Sequence, residues 1–442
     1  MASNRALFDK SEFVPGPLDT SEPAPVGKPR LRLAERRQMV FHPGSLDDLI
    51  PEDHVARSIW AYVCGLDLSS LLRQIKAVEG SEGRAMTDPR ILMALWLYAT
   101  TEGVGSAREL ARLCECHTAY RWIAGGVSLN YHTLSDFRVA QEALLDELLT
   151  KSVATLLHQG LVQLEEVAHD GVRVRASAAS NSFHRRPTLE KCLQQAREQM
   201  ARLKTEAEQD PAASSARRQA ARLRAAQERE TRVAEALKEL EEIEAKRKAA
   251  EKPNARASST DPEARVMKMA GGAFRPAYNV QFATETTSRL VVGVDVSNVG
   301  SDKGQMGPMA EQIQKRFGRV PKRYLADGDF QCGEDFEQLK QQGTTVYVPL
   351  PKPRNPDRSP AAPLWGDTDA VKEWRLRMVT DEAKQIYKKR ASVAEWLNAQ
   401  RRNHGLQQFV VRGRRKVRCI ALWHALVNNV LQIFHIRSPI AS

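Results

Sequence analysis

The hydrophobic period of this chain changes at about residue 163, and that change limits the folds open to it. From about 41 to 160, apolar residues recur at spacings of three and four, the signature of helices buried along one face. After 163, Glu165-Glu-Val-Ala-His-Asp-Gly-Val-Arg-Val-Arg175 alternates instead, and places Ala168, Asp170, Val172 and Val174 on one face of a strand. His169 points to the other face. A helical region leading into a sheet makes this an α/β chain, and 442 residues suffice for two or three domains.

Helix boundaries in the first part are marked by their chemistry. Thr87-Asp88-Pro89 sets a capping Asp before a Pro at the first helical position. Ser106-Ala-Arg-Glu109 is a capping box, and a third helix around Thr118-Ala-Tyr-Arg-Trp-Ile123 closes at Gly125-Gly126. With the turn at Gly103 and Gly105, three short helices suit a helix-turn-helix unit offering Arg121 to DNA. A plain helical bundle gives the same pattern.

Strand alternation is interrupted from about Leu189 to Lys252, where Leu189, Leu193, Ala196, Met200 and Leu203 repeat, Asp210-Pro211 breaks the helix, and Val233, Leu237 and Leu240 resume it. This predicts a helical hairpin used for packing or subunit contact. Strands return at Tyr278–Thr284 and Leu290–Val296, joined as a hairpin, and again at Lys322–Asp327 and Thr345–Pro349, with a polar helix near Glu334–Gln341 between the last two. A proline-rich loop follows, then helices carrying Glu395 and the apolar run Ile420–Ile433.

Sixty-six Lys and Arg against 54 Asp and Glu leave a formal charge of +12, which suits a polyanionic partner but is also found in proteins that bind no nucleic acid. Residues 1 to about 40 carry five prolines and the basic run Lys28–Arg37, which includes Arg30 and Arg32. They read as a flexible arm, either solvated or ordered on phosphate. With no apolar leader, and no run of the ~18 apolar residues that a membrane span needs, a cytoplasmic protein without a membrane partner is expected. Six scattered cysteines are read as reduced thiols, and Cys114, Cys116 and His117 as helix-packing residues rather than metal ligands.

Three acids suit phosphodiester chemistry in kind, although each alone also reads as a turn, cap or solvated-face residue. Hydrolysis by two metals calls for hard oxygen ligands around two ions ~3.5–4 Å apart. Asp supplies such oxygens from a strand end, and the longer Glu reaches in from a helix. Asp170 lies in Val-Ala-His-Asp-Gly-Val, Asp327 follows Tyr-Leu-Ala, and Glu395 follows Tyr387-Lys-Lys-Arg390-Ala-Ser-Val-Ala. Asp329 lies two residues from Asp327, Asp295 reads as an edge or capping residue, and Asp302 as a loop acid.

In this order the motifs resemble bacterial insertion-sequence transposases with an RNase H-like catalytic domain, in particular the group numbered eleven eighty-two. The resemblance is carried by Leu46-Asp-Asp-Leu-Ile-Pro51, His132-Thr-Leu-Ser-Asp-Phe-Arg138, Asp170-Gly-Val-Arg-Val-Arg-Ala-Ser-Ala-Ala179, Gly272-Ala-Phe-Arg-Pro-Ala-Tyr-Asn-Val-Gln281, Leu325-Ala-Asp-Gly-Asp-Phe330, and Tyr387, Arg390 and Glu395. It implies a DDE transposase that cuts transposon ends and joins them to target DNA. Asp170, Asp327 and Glu395 would hold Mg²⁺ or Mn²⁺, Asp327 rather than Asp329 matching the family position. Tyr387 and Arg390 would hold a phosphate, or else pair with Glu395 within the helix. The expected layout is an arm at 1–40, a helical DNA-binding domain at 41–160, and an RNase H-like mixed sheet with flanking helices at 161–442, interrupted by the insertion at about 189–252. A homo-oligomer on DNA is expected. A non-catalytic DNA-binding derivative, or a nuclease that cuts without joining, would carry similar motifs.

Overall fold

The computed structural model describes residues 44–75, 86–209, 216–352 and 359–437. Apart from Gly44 these belong to the compact unit Ser45–Ser442. The arm at 1–40, with Arg30 and Arg32, and the break at Asp210-Pro211 lie outside the described residues.

The helical region begins with Val55–Cys64 and continues through Pro89–Thr101, Ala107–Cys116, Thr118–Ala124, Tyr131–Ala140 and Glu142–His158. Its ends follow the capping chemistry: Asp88 Oδ1 accepts the Arg90 N–H at 2.8 Å, Ser106 Oγ accepts that of Glu109 at 3.4 Å, and Gly125 closes its helix at a φ of 59°. Pro89–Thr101 is buried nearly all round, and the Trp96 indole donates to the Leu134 carbonyl at 2.9 Å. Cys114 packs against this core and the exposed His117 ring meets the buried Tyr120 edge-on at 5.2 Å, but Cys116 is exposed at the helix end, so the packing role read for all three fails for Cys116.

Among the described residues eight strands follow: β1 (Glu166–Arg175), β2 (Phe183–His184), β3 (Ala257–Ser258), β4 (Arg265–Lys268), β5 (Phe274–Glu285), β6 (Val291–Ser297), β7 (Arg323–Leu325) and β8 (Thr345–Tyr347). β1 is central, antiparallel to β5 and parallel to β7. β6 adds antiparallel to β5, β8 parallel to β7, and β4 to the start of β5. The order β6-β5-β1-β7-β8 is a mixed sheet compatible with an RNase H-like fold. Side chains close both ends of it. Gln312 pairs with both the N–H and the carbonyl of Val294 on β6, and Asn429 does the same for Val291. Beside β8, Arg377 donates to the Val346 carbonyl at 3.2 Å and Trp374 to that of Val348 at 2.8 Å.

Two cores divide the sheet along the length of its strands. Val172, Val174, Tyr278, Val280 and Phe282 pack with the helical region and with the C-terminal helix Arg414–Arg437. That last helix is long and apolar enough to cross a membrane, but two-thirds of its apolar stretch is buried inside the protein. Toward β7, Val167, Ala168, Tyr324 and Leu325, from both faces, pack with the helices Met306–Phe317, Gly333–Gln341 and Asp369–Met378. Between β1 and β5 the helices Arg186–Gln209 and Ala216–Ala245 form the predicted hairpin, with a small core of Leu189, Val233, Ala236 and Leu240. Ion pairs cross it at Arg186–Glu244 (2.7 Å) and Arg197–Glu230 (3.1 Å).

Candidate active site

Parallel pairing of β1 with β7 brings two of the acids together. The last paired residues are Ala168 and Leu325, and two residues beyond each stand Asp170 and Asp327. Past Leu325 the chain leaves the sheet in a tight turn over Gly328–Phe330, fixed by Asp327 Oδ1 accepting the Asp329 N–H at 2.9 Å. Asp327 Oδ2 is left facing Arg390 at 3.4 Å, whereas Asp329 is exposed.

Glu395 arrives by an irregular helix. Asp381–Arg390 and Trp396–Asn403 are α-helical, but Ala391–Glu395 between them is a π-helical segment. Residues five apart on an α-helix lie ~140° apart around its axis, and Arg390 and Glu395 are five apart. The i→i+5 bonding of a π segment widens the turn and brings such residues onto one face, a device common at functional sites. Here it places Glu395 Oε1 3.6 Å from the Arg390 guanidinium.

Arg390 thus joins all three acids. Its buried guanidinium lies 3.0 Å from Asp170 Oδ1, 3.4 Å from Asp327 Oδ2 and 3.6 Å from Glu395 Oε1. Asn398, one turn after Glu395, donates to the other Asp170 oxygen at 2.8 Å. Asn398 was not singled out in the sequence. Its spacing from Glu395, one helical turn along the same helix, is the signal that could have found it. Tyr387 is half-buried beside Arg390, and burial raises its hydroxyl pKa. Arg121 lies elsewhere, exposed on Thr118–Ala124.

Burial pushes the Asp170 carboxyl up to about 6, against the pull of Arg390 and with the repulsion of Asp327 and Asp302. Asp327 is also raised, again mainly by burial and against Arg390. Two partly buried acids that resist ionisation beside one cation form a site that favours added positive charge. The donor set is chemically suited to a hard divalent ion: carboxylate oxygens from three separate elements around one point already holding a positive group. Their spacing is that of a guanidinium cluster, and among the described residues no three His, Cys, Asp or Glu side chains are gathered closely enough to hold a metal as they stand.

Of the other acids, Asp302 departs from the sequence reading in its burial, and Asp295 keeps the edge position read for it. Asp302, read as a loop acid, is buried at 5% exposure, and its Oδ1 accepts from Asn279 Nδ2 at 2.7 Å and Gln281 Nε2 at 2.6 Å. Asp295 sits within the edge strand β6, 4.0 Å from Arg418. His169 is turned away from the acids as expected, its Nδ1 sharing a 2.8 Å hydrogen bond with the Tyr324 hydroxyl.

Residues 44–140 match the family described as Transposase domain (DUF772), and residues 245–429 match Transposase DDE domain. The second match includes Asp327 and Glu395. Asp170 precedes it, across the helical hairpin, on the strand that the sheet places at its centre. No curated protein and no solved structure gives a significant match. The two domains define a DNA-acting transposase class. The chain is a DDE transposase of the insertion-sequence type.

Proposed function

We propose that this transposase cleaves phosphodiesters at transposon ends and transfers the freed 3′-hydroxyl into target DNA, with Asp170, Asp327 and Glu395 as its metal-holding acids. The observation that supports this best is the convergence of the three acids, from two strand ends and a π-helical segment, on Arg390. In the first reaction water attacks phosphorus at the transposon end and the 3′-oxygen leaves, taking up a proton. In the second that 3′-hydroxyl attacks a target phosphodiester and displaces another 3′-oxygen. Two divalent ions, Mg²⁺ or Mn²⁺, when bound supply an activated nucleophile and charge stabilisation at the leaving oxygen.

The chain's own part is to hold and orient. Asp170 and Asp327 present oxygens from fixed strand ends, with Asn398 and Gly171 N–H steadying Asp170. Arg390 and Tyr387 face the same place and are suited to grip a phosphate oxygen by a charged fork and a hydroxyl. The helical residues 41–160, with Arg121 exposed, would read transposon-end sequence. Arg30 and Arg32 of the arm at 1–40 would contact phosphate. We take 161–442, with the insertion at about 189–252, as the catalytic domain of a cytoplasmic protein that works as a homo-oligomer on DNA.

The test is a cleavage and strand-transfer assay on transposon-end DNA with Mg²⁺. Asp170→Asn, Asp327→Asn and Glu395→Gln should each abolish both reactions while end binding persists. Full cleavage by any one of them removes that residue from the site.

A further inference from the structure

Beneath the strand that carries Asp170 lies a second carboxylate, outside the three acids. Asp302 sits in the loop between β6 and Met306–Phe317, with Oδ1 held by the Asn279 and Gln281 amides of β5 at 2.7 and 2.6 Å. Both amide side chains are at most 1% exposed. Their carbonyl oxygens have no hydrogen-bond partner, and the shorter bonds of both amide nitrogens go to Asp302, with Asn279 Nδ2 also reaching the Val299 carbonyl at 3.4 Å. Oδ2 lies 3.7 Å from the partly exposed Arg173 guanidinium.

Gly171 shows how close this group comes to the site. A Cβ there would stand 2.3 Å from Asp302 Oδ1, 2.6 Å from Gln281 Nε2 and 2.8 Å from Asn279 Oδ1. Asp302 therefore rests on the backbone of the residue that follows Asp170. Burying a carboxylate costs several kcal/mol unless it is well paired, and a single guanidinium at 3.7 Å with its own exposure offsets that only in part. A buried charge is weakly screened, so its field reaches the neighbouring acids. The carboxyls of both Asp170 and Asp327 are pushed up in part by Asp302.

We propose that Asp302 is a positioning residue of the cation site. Its charge, fixed beneath Gly171 by Asn279 and Gln281, strengthens divalent-ion binding at Asp170 and Asp327 without touching the ion. Oδ1 is taken up by two amides, Oδ2 faces Arg173, and the whole group packs on the side of β1 bearing Gly171 and Arg173, opposite Asp170. This inference rests on the reading of Asp170 and Asp327 as metal-holding acids.

The experiment is Mn²⁺ titration of the full-length, DNA-free protein, with free Mn²⁺ read by electron paramagnetic resonance. Asp302→Asn should weaken binding about tenfold, Arg173→Gln should tighten it, and Asp295→Asn should leave it unchanged. A folded Asp302→Asn protein that binds Mn²⁺ like the wild type, or a loss matched by Asp295→Asn, overturns the proposal. Should Asp302→Asn fail to fold, Arg173→Gln decides, and binding no tighter than wild type overturns it. Asp170→Asn separates the two readings. If it loses Mn²⁺ and Asp302→Asn does not, only the role of Asp302 falls. If the wild type binds no Mn²⁺, or Asp170→Asn binds as the wild type does, both readings fall.

Discussion

Replacing Asp170 by Asn should make the metal-free protein more stable at pH 7.5, although it removes an acid assigned to the chemistry. Burial moves this carboxyl from 3.8 to about 6. At ~1.4 kcal/mol per tenfold change in proton affinity, holding it ionised inside the fold costs ~3 kcal/mol relative to the unfolded chain. The folded state binds the proton more tightly than the unfolded state does. The stabilisation linked to this group is therefore complete below pH 3.8 and lost as pH rises through about 6. Asn stays neutral throughout and can still accept from Asn398, but it pairs less well with the Arg390 guanidinium now at 3.0 Å. The net gain at pH 7.5 should then be ~1–3 kcal/mol. Urea denaturation in EDTA at pH 5 and pH 7.5 reads it as the difference between variant and wild-type midpoints. That difference should favour the variant at pH 7.5 and shrink at pH 5. A variant less stable than wild type by the same amount at both pH values refutes the reasoning.

Cleavage should stop in excess EDTA and return with Mg²⁺, and activity undiminished by the chelator would exclude an ion held by these carboxylates. Asp329→Asn should retain cleavage, since Asp329 is exposed and only its backbone N–H engages Asp327; an inactive but folded variant would bring it into the site. Gly171→Ala should lower stability by ~1–3 kcal/mol through overpacking, because its Cβ would meet Asp302 Oδ1 at 2.3 Å; an unchanged urea midpoint would show that the network yields freely. In full-length protein, Arg121→Ala should reduce the preference for transposon ends over random duplex by ~1–3 kcal/mol if Arg121 reads a base edge, and competition binding that weakens both DNAs alike would reassign it to phosphate.

The elements most legible in the sequence were those fixed by local chemistry. Asp88-Pro89, Ser106 and Gly125 marked helix ends because caps act within a few residues, and the alternation around Asp170 showed because Val172 and Val174 enter a core while Arg173 and Arg175 on the opposite face do not. The helical hairpin was legible for the same reason. The site was legible as a list of acids, but its geometry was not. No residue type announces the π segment, which depends on how the helix from Asp381 to Asn403 must meet the sheet. Asp302 looked like a loop acid because polarity and neighbouring Gly suggest exposure. Its burial arises from β5, more than twenty residues earlier, whose amides reach it only once the sheet has formed. Cys116 erred the other way, an apolar thiol left exposed where its helix runs out.

The closed ends of the sheet bear on how copies of this protein could meet. A bare edge strand is a template on which another chain can continue the ladder, and it invites swapping or fibre growth. On β6 the amides of Gln312 and Asn429 already imitate a neighbouring strand, and on the far side Arg377 and Trp374 cap carbonyls at and just beyond β8. A second copy could not zip onto either strand without first prising loose side chains anchored in the helices behind them. At these two edges, then, the sheet that carries Asp170 and Asp327 offers no open ladder to a second chain.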